Sequence, residues 1–213
     1  MTNNRYQIAA LLLAVLLGGM VYFLGRNVPV PWSTYEPTPV QLPPVYKVAL
    51  TTQFWVGESS DESNGFIPND DSYWDMSWME NFGGVDNPEC RNGYYPCGFV
   101  PQENPFYFAL PYGSKSDFSL KNRWIEVVYK GKTCYGQWED VGPFLTDDFL
   151  YVFGSAAPSN TFGVGAGLDI SPALWDCLGL TTNETTEWRF VDASEVPSGP
   201  WTEIITTSGT SWE

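Results

Sequence analysis

Acidic side chains are the residues of this sequence best suited to chemistry. Glu139 and Asp140 are adjacent in the stretch GQWEDVGPF, where a predicted strand runs into a Gly-Pro turn. Asp169 lies just before a predicted helix, in GLDISP. A carboxyl group can donate or accept a proton in catalysis when partial burial raises its pKa. These acids are therefore candidates for acid–base work, although an acid before Gly-Pro is also common turn chemistry.

The composition excludes several other kinds of catalysis. The 213 residues contain no histidine, which removes Ser-His-Asp and Cys-His catalysis as well as histidine-based zinc sites. The net charge of −15 argues against a nucleic-acid partner, because phosphate contacts need Lys and Arg. The sequence indicates no cofactor and no metal site. The side chains that remain for proton transfer in catalysis are those of Asp, Glu, Tyr, Lys and Cys.

Alternation along the strand separates the two neighbouring acids. In a regular strand, Asp140 shares a face with Trp138, whereas Glu139 shares the opposite face with Gln137. A face with buried-type residues favours a raised pKa, so Asp140 is predicted to be the functional acid and Glu139 a bystander. Asp169 lies near a helix N-terminus, which lowers the pKa of a carboxyl and favours a base or binding role.

Aromatic residues supply candidate binding groups beside these acids. They make up 16% of the chain, and many lie in residues 57–105, a long segment with little regular signal. Flat rings can stack on sugar rings while acids and amides bond sugar hydroxyls, so this mixture suits sugar recognition. A loop packed down by its own aromatic residues is the alternative. The candidate binding residues are Asp75, Trp74, Trp78, Trp138 and Tyr107.

Short strands joined by turns must position these residues. Apolar runs bounded by turn residues predict strands over Lys47–Val56, Phe106–Leu110, Ile125–Tyr129, Thr133–Glu139 and Glu187–Val191. The third and fourth of these strands are predicted to form a hairpin. One helix is well marked, over Pro172–Leu178, because Ser171 is a good N-cap and Gly179 suits a left-handed stop. The sequence therefore predicts a mainly β domain over residues 46–213.

The four cysteines predict disulfides. Four cysteines allow three pairings, and free thiols in a reducing compartment are the alternative. Cys90 and Cys97 are close in sequence across a loop with Gly and Pro, which favours a Cys90–Cys97 bond. The other bond, Cys134–Cys177, would tie the predicted hairpin to the predicted helix and bring Asp140 near Asp169.

The first 45 residues predict a membrane anchor followed by a spacer. Residues 1–26 contain an uncharged run between Arg5 and Arg26 that is long enough to span the ~30 Å hydrocarbon core as a helix. A cleaved signal peptide and a buried helix are the alternatives. Residues 27–45 are rich in proline and are predicted to be an extended spacer. A single-pass protein with its C-terminal domain outside the cytoplasm is therefore expected.

Three short motifs resemble those of the double-psi β-barrel superfamily. DVGPF at Asp140–Phe144, GLDISPALWDCLG at Gly167–Gly179 and WRFV at Trp188–Val191 are similar in order and spacing to motifs of RlpA-type lytic transglycosylases, expansins and family 45 endoglucanases. The resemblance covers roughly residues 124–191. It implies a six-stranded double-psi β-barrel with a short helix and a glycan groove over one face. The long aromatic-rich loop would be an elaboration of this barrel.

The resemblance also implies roles for both candidate acids. Asp140 holds the place of an Asp before an Arg-Gly-Pro-Phe turn in RlpA-like proteins, and Asp169 matches the acid of an Asp-Leu-Ser step in the other two groups. Val141 replaces the Arg and Leu168 replaces a His, so this chain departs from the family at two positions. The expected partner is a glycan, peptidoglycan or another β-glycan, with cleavage by acid catalysis an open question. A non-catalytic expansin-like module and an envelope protein-interaction scaffold are the alternatives.

Overall fold

The computed structural model describes residues 45–90 and 100–211. The predicted anchor over residues 1–26 and almost all of the predicted spacer lie outside these ranges. Cys97 lies outside them as well, so the predicted Cys90–Cys97 bond stays a prediction. Within the described ranges, no helix combines the length and the apolar character that crossing a membrane requires.

Six strands close into a barrel. Their bounds are β1 (Lys47–Gln53), β2 (Tyr107–Leu110), β3 (Trp124–Tyr129), β4 (Lys132–Val141), β5 (Leu168–Ile170) and β6 (Glu184–Val191). The order around the barrel is β1-β5-β2-β4-β3-β6, and β6 pairs with β1 to close it. The pairs β1–β5 and β2–β4 are parallel, and the other pairs are antiparallel. The predicted mainly β fold with six barrel strands is confirmed.

Three short α-helices accompany the barrel in the described ranges: α1 (Trp78–Phe82), α2 (Phe149–Val152) and α3 (Pro172–Leu178). The bounds of α3 are those predicted. Its first turn is capped by the Ser171 hydroxyl, which accepts a hydrogen bond from the Leu174 N–H at 3.2 Å, and Gly179 ends it with φ 73°. The Cys134–Cys177 disulfide ties α3 to β4, which confirms that part of the cysteine prediction.

Two apolar clusters lie on opposite faces of β2. Phe108 and Leu110 belong to the main core, together with Trp138 of β4 and Trp188 of β6. The residues between them face the other way: Tyr107 and Ala109 pack with Phe54, Val56, Trp78 and Phe82 in a second cluster. The long segment after β1 therefore covers part of the outer face of β2 with its own aromatic residues, and α1 carries two of them.

A β-bulge at Glu139 interrupts the alternation of β4. Phe108 pairs with Trp138, but the next residue of β2, Ala109, pairs with Asp140, so Glu139 is an extra residue without a partner in the register. Trp138 faces the main core, whereas Asp140 joins Ala109 on the outer face. The predicted shared face of Asp140 and Trp138 is therefore wrong, because the extra residue reverses the alternation.

Candidate active site

Asp140 and Asp169 lie in one row across the outer face of four neighbouring strands. The register pairs Thr52 of β1 with Asp169 of β5, Asp169 with Ala109 of β2, and Ala109 with Asp140 of β4. Neighbouring strands are about 4.8 Å apart, so two strand spacings separate the acids. Only the methyl group of Ala109 stands between them in this row. The structure thus brings the two predicted acids together.

An open groove of about 410 Å³ lies over this row. Asp140, Asp169 and Glu58 line it, together with the partly exposed rings of Trp55 and Trp175. Side-chain amides add polar groups to the same lining: Gln53, Asn64, Asn69 and Asn183. Of the described residues that line the groove, none is a Lys or an Arg. Carboxyls, amides and aromatic rings without cations suit a ligand that is rich in hydroxyl groups and carries no negative charge.

Asp140 is held by hydrogen bonds to both its side chain and its backbone. The Tyr73 N–H donates to Oδ1 of Asp140 at 2.7 Å, and the indole N–H of Trp138 donates to the backbone carbonyl of Asp140 at 2.7 Å. Burial raises the pKa of Asp140 to about 7, while the N–H groups of Tyr73 and Val141 act against this rise. The raised pKa places the proton equilibrium of this carboxyl near neutral pH.

Asp169 lies among other carboxyls, and its pKa is raised as well. Burial raises the pKa of Asp169 to about 8, and the charges of Glu58 and Asp140 act in the same direction. The Thr52 hydroxyl donates to its Oδ1. The predicted lowering of this pKa by a helix N-terminus is wrong, because Asp169 lies within β5 and the Ser171 hydroxyl caps α3 instead.

Glu58 is a third carboxyl in the groove that the sequence does not indicate. It is 6% exposed, and Nδ2 of Asn69 donates to its Oε2 at 2.8 Å. Burial raises its pKa to about 7. Glu58 comes from an irregular segment with several acids, GESSDES, where neither periodicity nor turn chemistry distinguishes one acid from the next. Only the fold of the segment places it beside Asp169.

Trp55 and Trp175 also line the groove, although the sequence does not single them out as candidate binding residues. Trp55 follows β1 in the segment that leads to Glu58. Trp175 lies in α3, where Leu174 and Leu178 face the core. Trp175 is three residues before Leu178 and packs partly against the same core, so the helical period does not mark its ring as outward.

The aromatic residues predicted to bind sugar are part of the packing. Trp74, Trp78, Trp138 and Tyr107 are each at most 1% exposed. Stacking on a sugar needs an exposed ring face, and these four rings have none, so the structure gives them a packing role. Asp75 is 2% exposed, and its carboxylate accepts hydrogen bonds from neighbouring backbone and side chains instead of facing the groove.

Glu139 is neither in the groove nor a solvated turn residue. It is 1% exposed, and its Oε2 lies 3.0 Å from Nζ of Lys121. Burial raises the pKa of Glu139 to about 8 even though the Lys121 ammonium acts in the opposite direction. The bulge therefore separates two adjacent acids completely: Asp140 faces the groove, while Glu139 is buried with a cation.

The fold and the site define a closed six-stranded β-barrel with an open, carboxyl-lined groove over four of its strands. No protein-family model matches the sequence, and no curated protein matches it either. Over residues 45–90 and 100–211, no group of three or more His, Cys, Asp or Glu side chains is arranged to hold a metal ion.

Proposed function

We propose that this chain binds a glycan in the groove and cleaves it by acid catalysis. The observation that carries the proposal is the row in which Asp140 and Asp169 flank Ala109 on the floor of an open groove. Glycosidic bond cleavage needs two carboxyl groups on either side of the bond, one protonated and one ionised. Asp169 faces other carboxyls, which favour its protonated form, whereas Asp140 accepts an N–H bond, which favours its ionised form. This difference fits one protonated and one ionised carboxyl.

Asp169 is the general acid in this proposal and Asp140 is the base. Asp169 faces other carboxyls and holds its proton, so it donates that proton to the oxygen of the breaking glycosidic bond. Asp140 accepts backbone N–H bonds that favour its ionised form, so it takes a proton from the attacking water or sugar hydroxyl. Burial raises the pKa of Asp140 to about 7 and that of Asp169 to about 8, so both carboxyls can exchange protons near neutral pH.

The lining of the groove supports an uncharged stretch of β-linked sugars as the ligand, such as the sugar backbone of peptidoglycan or of a related polymer. Trp55 and Trp175 offer ring faces on which sugars stack, and Asn64 and Asn69 offer amides for hydroxyl groups. The described lining has no Lys or Arg that would neutralise phosphate or sulfate. A polymer with many negative charges is therefore a poor ligand for this site.

The double-psi topology and the location outside the cytoplasm belong to the same proposal. The motifs that resemble double-psi barrels fall on β4, on β5 with α3, and on β6, and the closed barrel contains two parallel strand pairs. The Cys134–Cys177 disulfide supports an oxidising compartment. Anchoring by the uncharged run between Arg5 and Arg26 would keep the domain at a membrane surface.

A second candidate function is glycan binding without cleavage, as in an expansin-like module. Two observations favour it. Leu168, at the position of the family's His, is fully buried in the main core and cannot act in the groove. Val141, at the position of the family's Arg, places an aliphatic side chain in the lining. Both replacements remove a polar group that related sites have.

A digestion experiment tests the proposal. The purified full chain is incubated with peptidoglycan and, separately, with cellulose, and soluble fragments are identified by mass spectrometry. Asp169→Asn and Asp140→Asn are each expected to reduce fragment release by about 100-fold or more, the range of general acid–base catalysis. Glu187→Gln is the control, because Glu187 is exposed on β6 away from the groove lining.

The outcomes separate the candidate functions. Fragment release that survives both Asp140→Asn and Asp169→Asn contradicts the catalytic proposal. Binding to a glycan without fragments, weakened by Trp175→Ala, supports the non-catalytic candidate. A chain that binds neither polymer leaves the envelope protein-interaction scaffold, the remaining alternative from the sequence.

A further inference from the structure

The turn formed by residues 72–77 lies directly behind Asp140 and outside the groove lining. Its Tyr73 N–H donates to Oδ1 of Asp140 at 2.7 Å. A hydrogen bond from a backbone N–H favours the ionised carboxylate over the protonated form. The position of this single N–H group therefore affects how readily Asp140 gives up its proton.

Asp75 fixes the shape of the turn from within. Its Oδ1 accepts a hydrogen bond from the Ser77 N–H at 3.0 Å, and its Oδ2 accepts one from Nδ2 of Asn81 at 2.8 Å. Its own N–H donates to the Ser72 hydroxyl at 3.0 Å. With 2% of its surface exposed, Asp75 has both carboxylate oxygens committed to the turn and to α1.

Ser211, which is far away in sequence, clamps the same turn from outside. Its hydroxyl donates to Oδ1 of Asp75 at 2.9 Å, and its N–H donates to the Trp74 carbonyl at 2.8 Å. The same hydroxyl accepts the Met76 N–H at 3.2 Å. Three successive residues of the turn are thus bonded to one residue of the C-terminal segment.

Trp74 connects this clamp to the backbone of Asp140. Its ring packs edge-on against Trp138 with 5.5 Å between ring centroids, and both rings are fully buried. The Trp138 indole N–H in turn donates to the Asp140 carbonyl. The backbone and the carboxyl of Asp140 are therefore held through one connected set of contacts, which a shift of the turn would disturb.

We propose that Asp75 and Ser211 are positioning residues for Asp140. They hold the turn at residues 72–77 so that the Tyr73 N–H bonds the Asp140 carboxylate and keeps it able to ionise. Neither residue lines the groove. The inference rests on the proposed function for its catalytic meaning, because Asp140 is the base of that proposal, but the contacts themselves are independent of any glycan.

Other charged groups near Asp140 stay in place when the turn is changed. Asp169 and Glu58 share the groove with it, and the Lys115 ammonium lies 5.5 Å from the centroid of the Tyr73 ring. None of these three is altered in the variants below. Ser211→Ala changes no charge, so its effect on the titration of Asp140 reports the turn and its N–H group. Asp75→Ala also removes a negative charge, which acts to lower the Asp140 pKa.

The test measures the titration of Asp140 in Ser211→Ala and Asp75→Ala. Carboxyl carbon NMR of the labelled full chain follows the Asp140 signal with pH, and Asp140→Asn assigns that signal. Because losing the Tyr73 N–H bond disfavours the anion, Ser211→Ala is expected to raise the Asp140 pKa by about half a unit or more. Asp75→Asn loses the same charge as Asp75→Ala but keeps Oδ1 as an acceptor, so the Asp140 pKa is expected to be higher in Asp75→Ala than in Asp75→Asn.

Ser208→Ala is the matched control. Ser208 lies in the same C-terminal segment, but its hydroxyl bonds Glu103 and Lys121 instead of the turn, so the Asp140 titration is expected to stay unchanged. An unchanged or lowered Asp140 pKa in Ser211→Ala overturns the inference, and so does an equal shift in Ser208→Ala. If Asp75→Ala fails to fold, Ser211→Ala alone decides, because Ser211 is exposed and its change is mild.

The same set of variants separates this inference from the proposed function. Wild-type chain that releases no glycan fragments contradicts the proposed function, while the Asp140 titration still supports or overturns the positioning role. Fragment release whose pH profile moves with the Asp140 titration in Ser211→Ala supports both.

Discussion

Asp140 and Asp169 combine burial with different neighbours. Asp140 accepts an N–H bond from Tyr73, whereas Asp169 faces the charges of Glu58 and Asp140. Burial is the first cause of the raised pKa in both groups. The neighbours act in opposite directions, because N–H groups lower the pKa of Asp140 and carboxylate charges raise the pKa of Asp169. Two chemically identical side chains thus obtain different proton affinities from what lies beside them on neighbouring strands.

Asp169 is expected to reduce the stability of the fold at high pH. Its raised pKa means that the folded chain binds the proton more tightly than the unfolded chain. This contribution to stability is complete below about pH 4 and is lost as the pH rises through about 8. Asp169→Asn removes the ionisation and is expected to be more stable than wild type by about 1–2 kcal/mol at pH 9.

Urea unfolding at pH 5 and pH 9 measures this effect of Asp169→Asn. The gain in the free energy of unfolding is expected to be larger at pH 9 than at pH 5, because the contribution of the protonated carboxyl is only partly lost at pH 5. Glu187→Gln is expected to change neither value. An equal loss of stability at both pH values would show that Asp169 acts in the fold through its shape and hydrogen bonds alone.

At the scale of elements, the packing of α3 on β4 depends on a residue without a side chain. A Cβ atom at Gly136 would lie 2.7 Å from Cδ1 of Leu174 and 3.0 Å from the carbonyl oxygen of Phe106. The backbone oxygen cannot move without disturbing β2. Gly136→Ala is therefore expected to lower the free energy of unfolding by about 1–3 kcal/mol.

Gly209→Ala is the control for Gly136→Ala in the same urea unfolding experiment. A Cβ atom at Gly209 meets nothing within 4 Å, so its effect is expected to be close to zero. Equal stability of the two variants would contradict the close approach of α3 to the barrel.

The elements that the sequence predicts well are those with local signals. Ser171, Pro172 and Gly179 mark both ends of α3 within nine residues, and the β3–β4 hairpin is marked by the Lys-Gly-Lys turn. β5 has three residues and is defined by its pairing with β1 and β2, so no periodic pattern can reveal it. The bulge at Glu139 depends on the partner strand β2 and has no local signal either.

In the candidate site, too, only some residues are marked by a local sequence signal. Asp140 and Asp169 were predicted because each stands at the junction of a strand with a turn or a helix, where the sequence marks the position. Glu58 reaches the groove through an irregular segment, and its position depends on contacts with Asn69 and with the barrel. The sequence predicts Trp74 and Trp138 to contact a ligand, because composition alone does not distinguish a buried ring from an exposed one.

At the scale of the whole molecule, the described ranges fall within one compact unit, Pro44–Glu213, that the Cys134–Cys177 bond crosslinks. The bond closes a loop with a sequence separation of 43 residues. Such a crosslink reduces the entropy of the unfolded chain, so reduction is expected to cost about 4 kcal/mol of stability. Urea unfolding with and without a reductant measures the difference, with the variant Cys134→Ala/Cys177→Ala as a check. If reduction leaves the urea midpoint of unfolding unchanged, the disulfide does not stabilise the fold in this way.

At the bulge, the alternation of inward and outward side chains along β4 reverses. Cys134 and Trp138 face the main core, and after Glu139 another even-numbered residue, Asp140, faces the groove. If β4 alternated regularly through Glu139, Asp140 would share the face of Trp138 and point toward the buried tryptophans. Deleting Glu139 would instead place Asp140 directly after Trp138, and alternation would keep its carboxyl beside Ala109 on the groove face. The bulge therefore lets β4 carry Glu139 as an additional buried acid without turning Asp140 away from the groove.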